Sequence, residues 1–292
     1  MRHQQTLFDV RRQMSSGRKV NLASDDPGAY EAIQGLKSDL SQLSQFERNS
    51  NMARHYLTML DSSLDKTVNL VHQASELAVR ASDATLDPGT REAMAQQAEQ
   101  LLQSLLAVAN SSEGGRYNFA GLRASEKPYV EQVDPVTGRI TAVVYAGSEE
   151  TRMIKIGPEQ YAATNIAGSQ SVGEGGIFQT STRDLFDSVI RLRDSLSAGV
   201  NGAETDNLER LNDDLNHVLG QVSLNGARHE QVNMNVSYLR EMQLTNQQSL
   251  ATLDSVDMAE AAMQLSQAQT AYQAALHGTS TLMQQVSLLN YM

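Results

Sequence analysis

The residues of this chain with the widest chemical repertoire are its six histidines, His3, His55, His72, His217, His229 and His277. An imidazole can ligate a metal or move a proton, but both tasks need a second group on the same face. No two of the six stand at i, i+3 or i+4, so each reads as a solvated helix-face residue. The chain has no cysteine, hence no disulfide and no thiolate metal site. There is no G-x-S-x-G and no phosphate loop ending in Lys-Ser or Lys-Thr. Gly173, Gly175 and Gly176 lack the spacing and the following helix of a dinucleotide site. Asp25-Asp26 and Asp134 read as cap and turn residues rather than calcium ligands. Glu47-Arg48, Arg91-Glu92 and Arg191 with Asp194 read as solvated helix-face charges. The expectation is a protein that is not an enzyme, with no catalytic residues, no cofactor and no metal.

Bulk properties narrow the class further. A net charge of −11 argues against nucleic acid or an anionic membrane as partner. No run of about twenty apolar residues exists to span a bilayer. The start, Met1-Arg2-His3-Gln4-Gln5, lacks the apolar core of a cleavable secretory signal. Aromatics make up 5% of the chain and tryptophan is absent, whereas a thick globular core uses more large rings. Ala, Gln, Ser and Leu dominate, which suits long helices packed side by side with small residues at the seams.

The elements follow from periodicity. Leu7, Val10 and Met14 are spaced three and four apart, as on one face of a helix. Gly17 ends that helix, Ser24, Asp25 and Asp26 offer capping oxygens, and Pro27 opens the next one. Ile33, Leu36, Leu40, Leu43, Met52, Tyr56, Leu60, Leu64, Val68 and Val71 keep the rhythm, predicting one very long helix over 27–82. Asp87-Pro88-Gly89 repeats the start signal for a helix that stops at 111–115. Tyr129–Val133 and Ile140–Tyr145 predict two strands around the turn Asp134–Gly138, and Met153–Ile156 a third. Helix returns at Asp184 and breaks at 198–202. A second segment runs through Leu208 to Val222, and another is expected to start after Gly226.

The last segment is the most regular. Met258, Ala261, Leu265, Ala268, Tyr272, Ala275, Thr279, Leu282, Val286 and Leu289 alternate +3 and +4, a heptad seam. Four of its ten positions are Ala or Thr, and each missing methylene forfeits about 0.8 kcal/mol of burial. Such a helix is expected to order only when neighbours surround it. The fold class predicted is mainly α with a small β insertion. It takes the form of a long antiparallel helical rod or coiled-coil bundle into which residues 122–179 are inserted. The insertion is expected to be dispensable for folding of the helical part, because it leaves and returns between helices.

The run Met14-Ser15-Ser16-Gly17-Arg18-Lys19-Val20-Asn21-Leu22-Ala23-Ser24-Asp25-Asp26-Pro27-Gly28 closely resembles the signature of the flagellin family of bacterial flagellar axial proteins. Asp254–Glu260, Leu265–Leu276, Leu288–Met292 and Gly115-Arg116-Tyr117-Asn118-Phe119-Ala120-Gly121 are more similar to the family's hook-associated members at the hook–filament junction than to filament flagellin. The resemblance implies a structural protein joining hook to filament, located outside the cell and exported through the flagellar type III channel without a cleaved signal. It implies a terminal tube domain from residues 1–24 and 251–292, a helical rod domain from 25–121 and 180–250, and a β-rich domain from 122–179. Implied partners are other copies of the chain, a neighbouring hook-associated protein, filament flagellin, and a cytoplasmic export chaperone on the C-terminal segment. On this reading Leu7, Val10, Met14, Leu265, Tyr272, Leu282, Val286 and Leu289 form the assembly and chaperone interface. The seam from Leu7 to Met14 is shorter than the family leads one to expect, and Met1 reads as an engineered start. The alternatives are filament flagellin and, from another class, a secreted or signalling coiled-coil binding module.

Overall fold

The computed structural model describes residues 2–82, 86–172, 175–199 and 203–289, with side chains except at 2, 3, 203–205 and 281–289. The chain is mainly helical with three small antiparallel sheets. In order the elements are α1 (Arg2–Ser16), α2 (Pro27–Ala81), α3 (Pro88–Ala109), β1 (Ser112–Glu113), β2 (Arg116–Tyr117), β3 (Tyr129–Val133), β4 (Ile140–Tyr145), β5 (Met153–Lys155), β6 (Tyr161–Ala163), α4 (Leu185–Ala198), α5 (Ala203–Asp254) and α6 (Met258–Leu289). The strands pair β1-β2, β3-β4 and β5-β6. Two compact units result, Met1–Gln45 with Tyr238–Met292, and Phe46–Ser237.

Capping chemistry sets the helix starts. Asp26 Oδ1 accepts the Ala29 N–H at 3.0 Å, with Pro27 in the first turn of α2. Asp87 Oδ1 accepts the N–H groups of Gly89 and Thr90 and opens α3. The Thr90 hydroxyl and those N–H groups hold the Asp87 carboxyl below the usual aspartate range. Asp184 does the same for α4 through Phe186 and Asp187, although burial pushes its own carboxyl up. Helix α5 differs from expectation. It is a single 52-residue helix that continues through Gly226. A Cβ at Gly220 or Gly226 would meet nothing within 4 Å, so both glycines face open space. Each costs about 1 kcal/mol relative to alanine, while Val218, Gln221, Asn225 and Val232 on the helix are buried. Buried Asn225 donates to the Leu57 carbonyl at 3.1 Å and to the Asp61 carboxylate.

The core of the Phe46–Ser237 unit draws on both the helices and the strands. Leu64, Leu77, Leu102 and Leu105 pack in one cluster with Phe119, Tyr129, Ile140, Val143, Ile177, Phe178 and Phe186. Sparse as they are, the rings are concentrated. Phe178 meets Phe119 edge-on at 5.0 Å, Tyr129 at 5.6 Å and Phe186 stacked at 5.5 Å. Arg193 of α4, 3% exposed, bonds the Glu99 and Asp194 carboxylates at 2.5 and 2.7 Å and the Ile140 carbonyl at 2.7 Å. The charges read as solvated are exposed or half-buried, but several are paired. Asp194 pairs with Arg193 and not Arg191, which bonds Asp187, and Glu92 bonds Arg139 at 2.9 Å.

The inserted segment is not a separate core. Tyr129 and Phe178 lie within it and are 0% and 1% exposed against helical residues. Two-stranded sheets are marginal alone and gain stability by such packing. Replacing residues 122–179 with a short Gly-Ser linker is therefore expected to abolish much of the helical circular-dichroism signal at room temperature. A full helical signal would show the insertion to be separable. Gly121 gives a sharper test. It sits at φ +63°, and an added Cβ would lie 1.8 Å from the Ser148 carbonyl oxygen. Left-handed backbone costs a Cβ-bearing residue about 1–2 kcal/mol before any clash. Gly121→Ala should destabilise the chain by more than about 2 kcal/mol in urea unfolding.

Candidate assembly interface at the paired terminal helices

Within the unit Met1–Gln45 with Tyr238–Met292, α1 packs on α6. The pairing is antiparallel. Gln4 Nε2 donates to the Tyr272 hydroxyl at 3.1 Å, and at the other end the Val256 N–H donates to the Gly17 carbonyl at 3.2 Å. On α1, Val10 is buried and Leu7 and Met14 are half-buried. On α6, Ala261 and Ala268 are buried and Leu265 and Tyr272 half-buried. Small alanines alternating with larger residues let the two backbones approach while retaining apolar contact. Leu7, Val10, Met14, Leu265 and Tyr272 thus come to one helix pair. Further along the seam Ala275 and Thr279 are exposed. Leu282, Val286 and Leu289 belong to α6, but their side chains lie outside the described residues. Phe8, Met258, Met263 and Leu276, from 51% to 65% exposed, leave apolar surface on both helices.

The segments that follow α1 and precede α6 are laced together. Gly17, at φ +69°, turns the chain out of α1 as its N–H bonds the Gln13 carbonyl at 2.8 Å. Arg18 then bridges Ser255 in antiparallel fashion, and the Lys19 N–H donates to the Asp254 carbonyl at 2.6 Å. The Asp254 carboxylate is buried, with Arg18 at 3.5 Å and Lys37 at 3.4 Å on Oδ2. Its role was not legible in the sequence, where a single acidic residue ends a helix and its cationic partners lie more than two hundred positions away. Asp257 caps α6 through the Ala259 and Glu260 N–H groups.

Asp25 does not cap α2. Its Oδ2 accepts the N–H groups of Leu22 at 2.9 Å and Asn21 at 3.0 Å, while Oδ1 takes Arg12 of α1 at 2.8 Å. The connector is thus folded around this carboxylate, and Asp26 beside it takes the cap. The Leu22 N–H first, then Asn21 and Arg12, hold the Asp25 carboxyl below the ordinary aspartate value of 3.8.

His55, His72 and His277 lie exposed on helices as expected, whereas two histidines are more engaged. The His217 ring lies 2.7 Å from the Gly176 carbonyl, and His229 contacts the Thr58 hydroxyl and Asn233. Among the described residues no group of three His, Asp or Glu side chains could hold a metal. No described helix is long and apolar enough to cross a membrane.

Long helices, a strand-bearing segment between α3 and α4, and a paired terminal helix couple define the fold. Residues 2–123 match the family model of the bacterial flagellin N-terminal helical region. The chain is similar to flagellar hook-associated protein 3 of Escherichia coli K12, at 29% identity over 61% of this chain and 57% of that protein. The chain therefore spans little more than half the length of this curated relative. Filament core proteins and flagellins of other bacteria match at 20–24% identity. Two solved structures share the fold. Flagellar hook-associated protein 3 from Legionella pneumophila aligns with TM-score 0.64 at 16% identity, over 76% of this chain and 98% of that one. The flagellar junction protein from Legionella pneumophila aligns with TM-score 0.59 at 17% identity, over 76% of this chain and 100% of that one.

A carboxylate whose folded pKa is depressed stabilises the fold above its unfolded pKa and loses that contribution as pH falls through the folded value. The protection of the Asn21 and Leu22 amides, taken as exchange slower than the intrinsic rate at each pH, should accordingly be present at neutral pH and be lost as pH falls below 3.8. In Asp25→Ala, which has no side-chain acceptor, those two amides should be unprotected throughout. Unchanged protection would show that Asp25 does not organise the connector.

Proposed function

We propose that this chain is a structural, non-enzymatic component of the bacterial flagellum that joins hook to filament, working outside the cell. The observation that carries the reading is the α1–α6 pair, whose apolar seam is buried or half-buried from Ala261 to Tyr272 while Phe8, Met258, Met263 and Leu276 stay exposed. Apolar surface of this kind on a helix pair suits packing among copies of the chain and against neighbouring subunits. The flagellin N-terminal region and the similarity to hook-associated protein 3 support the same reading. Filament flagellin is the less favoured alternative, since the filament proteins match at lower identity.

Residues 1–24 and 251–292 would make the assembling terminal domain, 25–121 and 180–250 the rod, and 122–179 an inserted β-rich part. Before export a cytoplasmic chaperone would hold the α6 seam. The same stripe cannot serve chaperone and neighbour at once, so the two interactions would exclude each other.

Deleting the gene should leave hooks without attached filaments in electron micrographs, and the wild-type chain should restore them. Leu265→Asp exposes a charge at the half-buried centre of the seam, where a leucine contributes about 1.5–3 kcal/mol when fully buried. This variant should fail to restore filaments, with motility in soft agar reduced at least about tenfold. Filaments persisting in the deletion strain would remove the junction reading. Full rescue by Leu265→Asp would remove the α6 seam from the interface.

A further inference from the structure

A second feature lies in the Phe46–Ser237 unit. In a chain of net charge −11, three arginines gather around buried Asn165. Arg152 and Arg116 line a small cleft with Tyr56, Asn118, Thr164 and Asn165. Arg228 Nη1 donates to the Asn165 carbonyl from α5 at 3.2 Å. Among the described residues none of the three is ion-paired with a carboxylate. Glu113, opposite Arg116 in the β1–β2 hairpin, also lines the cleft and forms no ion pair with it.

Arg152 is fixed rather than loose. Its guanidinium lies 4.0 Å over the Tyr56 ring, its Nε donates to the Thr164 hydroxyl at 3.0 Å, and its backbone N–H donates to Asn165 Oδ1 at 2.6 Å. Stacking and the Nε bond use one face and one donor, and among the described residues no hydrogen bond engages the outer Nη edge. That edge is the fork arginine uses against a carboxylate, sulfate or phosphate. Burial and the nearby Arg116 charge both disfavour the cation at Arg152. A half-buried cation held beside a second one is relieved by an anion bound between them.

We propose that this cleft binds a single oxyanion, a carboxylate, sulfate or phosphate group, between the Nη edge of Arg152 and the guanidinium of Arg116. The group comes either from a free small anion or from an acidic side chain of a neighbouring protein. The inference is independent of the flagellar reading.

The full chain is titrated with sodium phosphate, sodium sulfate and N-acetylglutamate at constant ionic strength. Binding is followed by nuclear magnetic resonance at the Arg152 Nε–H and the backbone amides of Asn118 and Asn165. At least one anion should give saturable shifts confined to these signals. Saturation by phosphate or sulfate assigns the site to a free tetrahedral anion. Saturation by N-acetylglutamate alone assigns it to a carboxylate side chain. The Arg116 side chain is exposed and makes no hydrogen bond among the described residues, so Arg116→Gln should leave the melting temperature in chloride unchanged while weakening binding at least about tenfold. Arg152→Lys keeps the charge without the fork and should weaken it comparably. Non-saturating shifts for all three anions, shifts spread over basic residues elsewhere, or unchanged affinity in both variants would overturn the proposal.

Discussion

Phe178 ties the excursion between α3 and α4 to the helices. Among the described residues from Ser112 to Asp184 the chain makes three two-stranded ladders and two isolated bridges, too little sheet to stand by itself. Rings from the two ends of that excursion, Phe119 and Phe178, meet Tyr129 of β3 and Phe186 of α4 in one cluster. Polar groups then close around the rings. Asn110, at the end of α3, exchanges two hydrogen bonds with the Tyr129 backbone, and the Tyr145 hydroxyl donates to the Phe119 and Ser148 carbonyls. Arg193 reaches from α4 to the Ile140 carbonyl of β4. Removing the aromatic cluster would leave these buried donors and acceptors to find water, which costs more than the contacts alone suggest.

Much of this was legible in the sequence because it rests on local rules. Asp-Pro-Gly at 26–28 and 87–89 gave the starts of α2 and α3, and alternation gave β3 and β4 with their residue limits. The first half of the α6 seam was legible from its heptads. What stayed hidden depends on partners distant in sequence. Nothing around Phe178 marks it as a core residue, since a single ring in a glycine- and serine-rich stretch has no period. The continuity of α5 through Gly226 was missed because a helix breaker was weighed by propensity, about 1 kcal/mol, against packing that propensity does not see. Strand β6, three residues long, falls below the length at which alternation carries a signal. Asp254 and Asp25 have functions set by which amides and cations surround them, and no local pattern reports that.

The two units use side chains differently. The Phe46–Ser237 unit holds large rings and an arginine 3% exposed among carboxylates. The other unit relies on alanines, single aliphatic residues and hydrogen bonds between connectors. Deep, polar-locked packing suits a part that keeps one conformation. Shallow packing with exposed apolar flanks suits a part whose neighbours complete it.

The bond between Gln4 and Tyr272 joins residues 268 positions apart. A ribosome adding about 5–20 residues per second places roughly 13–54 s between the two. Throughout that interval α1 exists without α6, while the Phe46–Ser237 unit is made and completed before it closes. Closing so long a loop adds entropic cost only slowly with its length, so the delay is one of supply rather than of search. Helix α1 is thus made long before the helix that fixes its place, and waits for α6 unjoined.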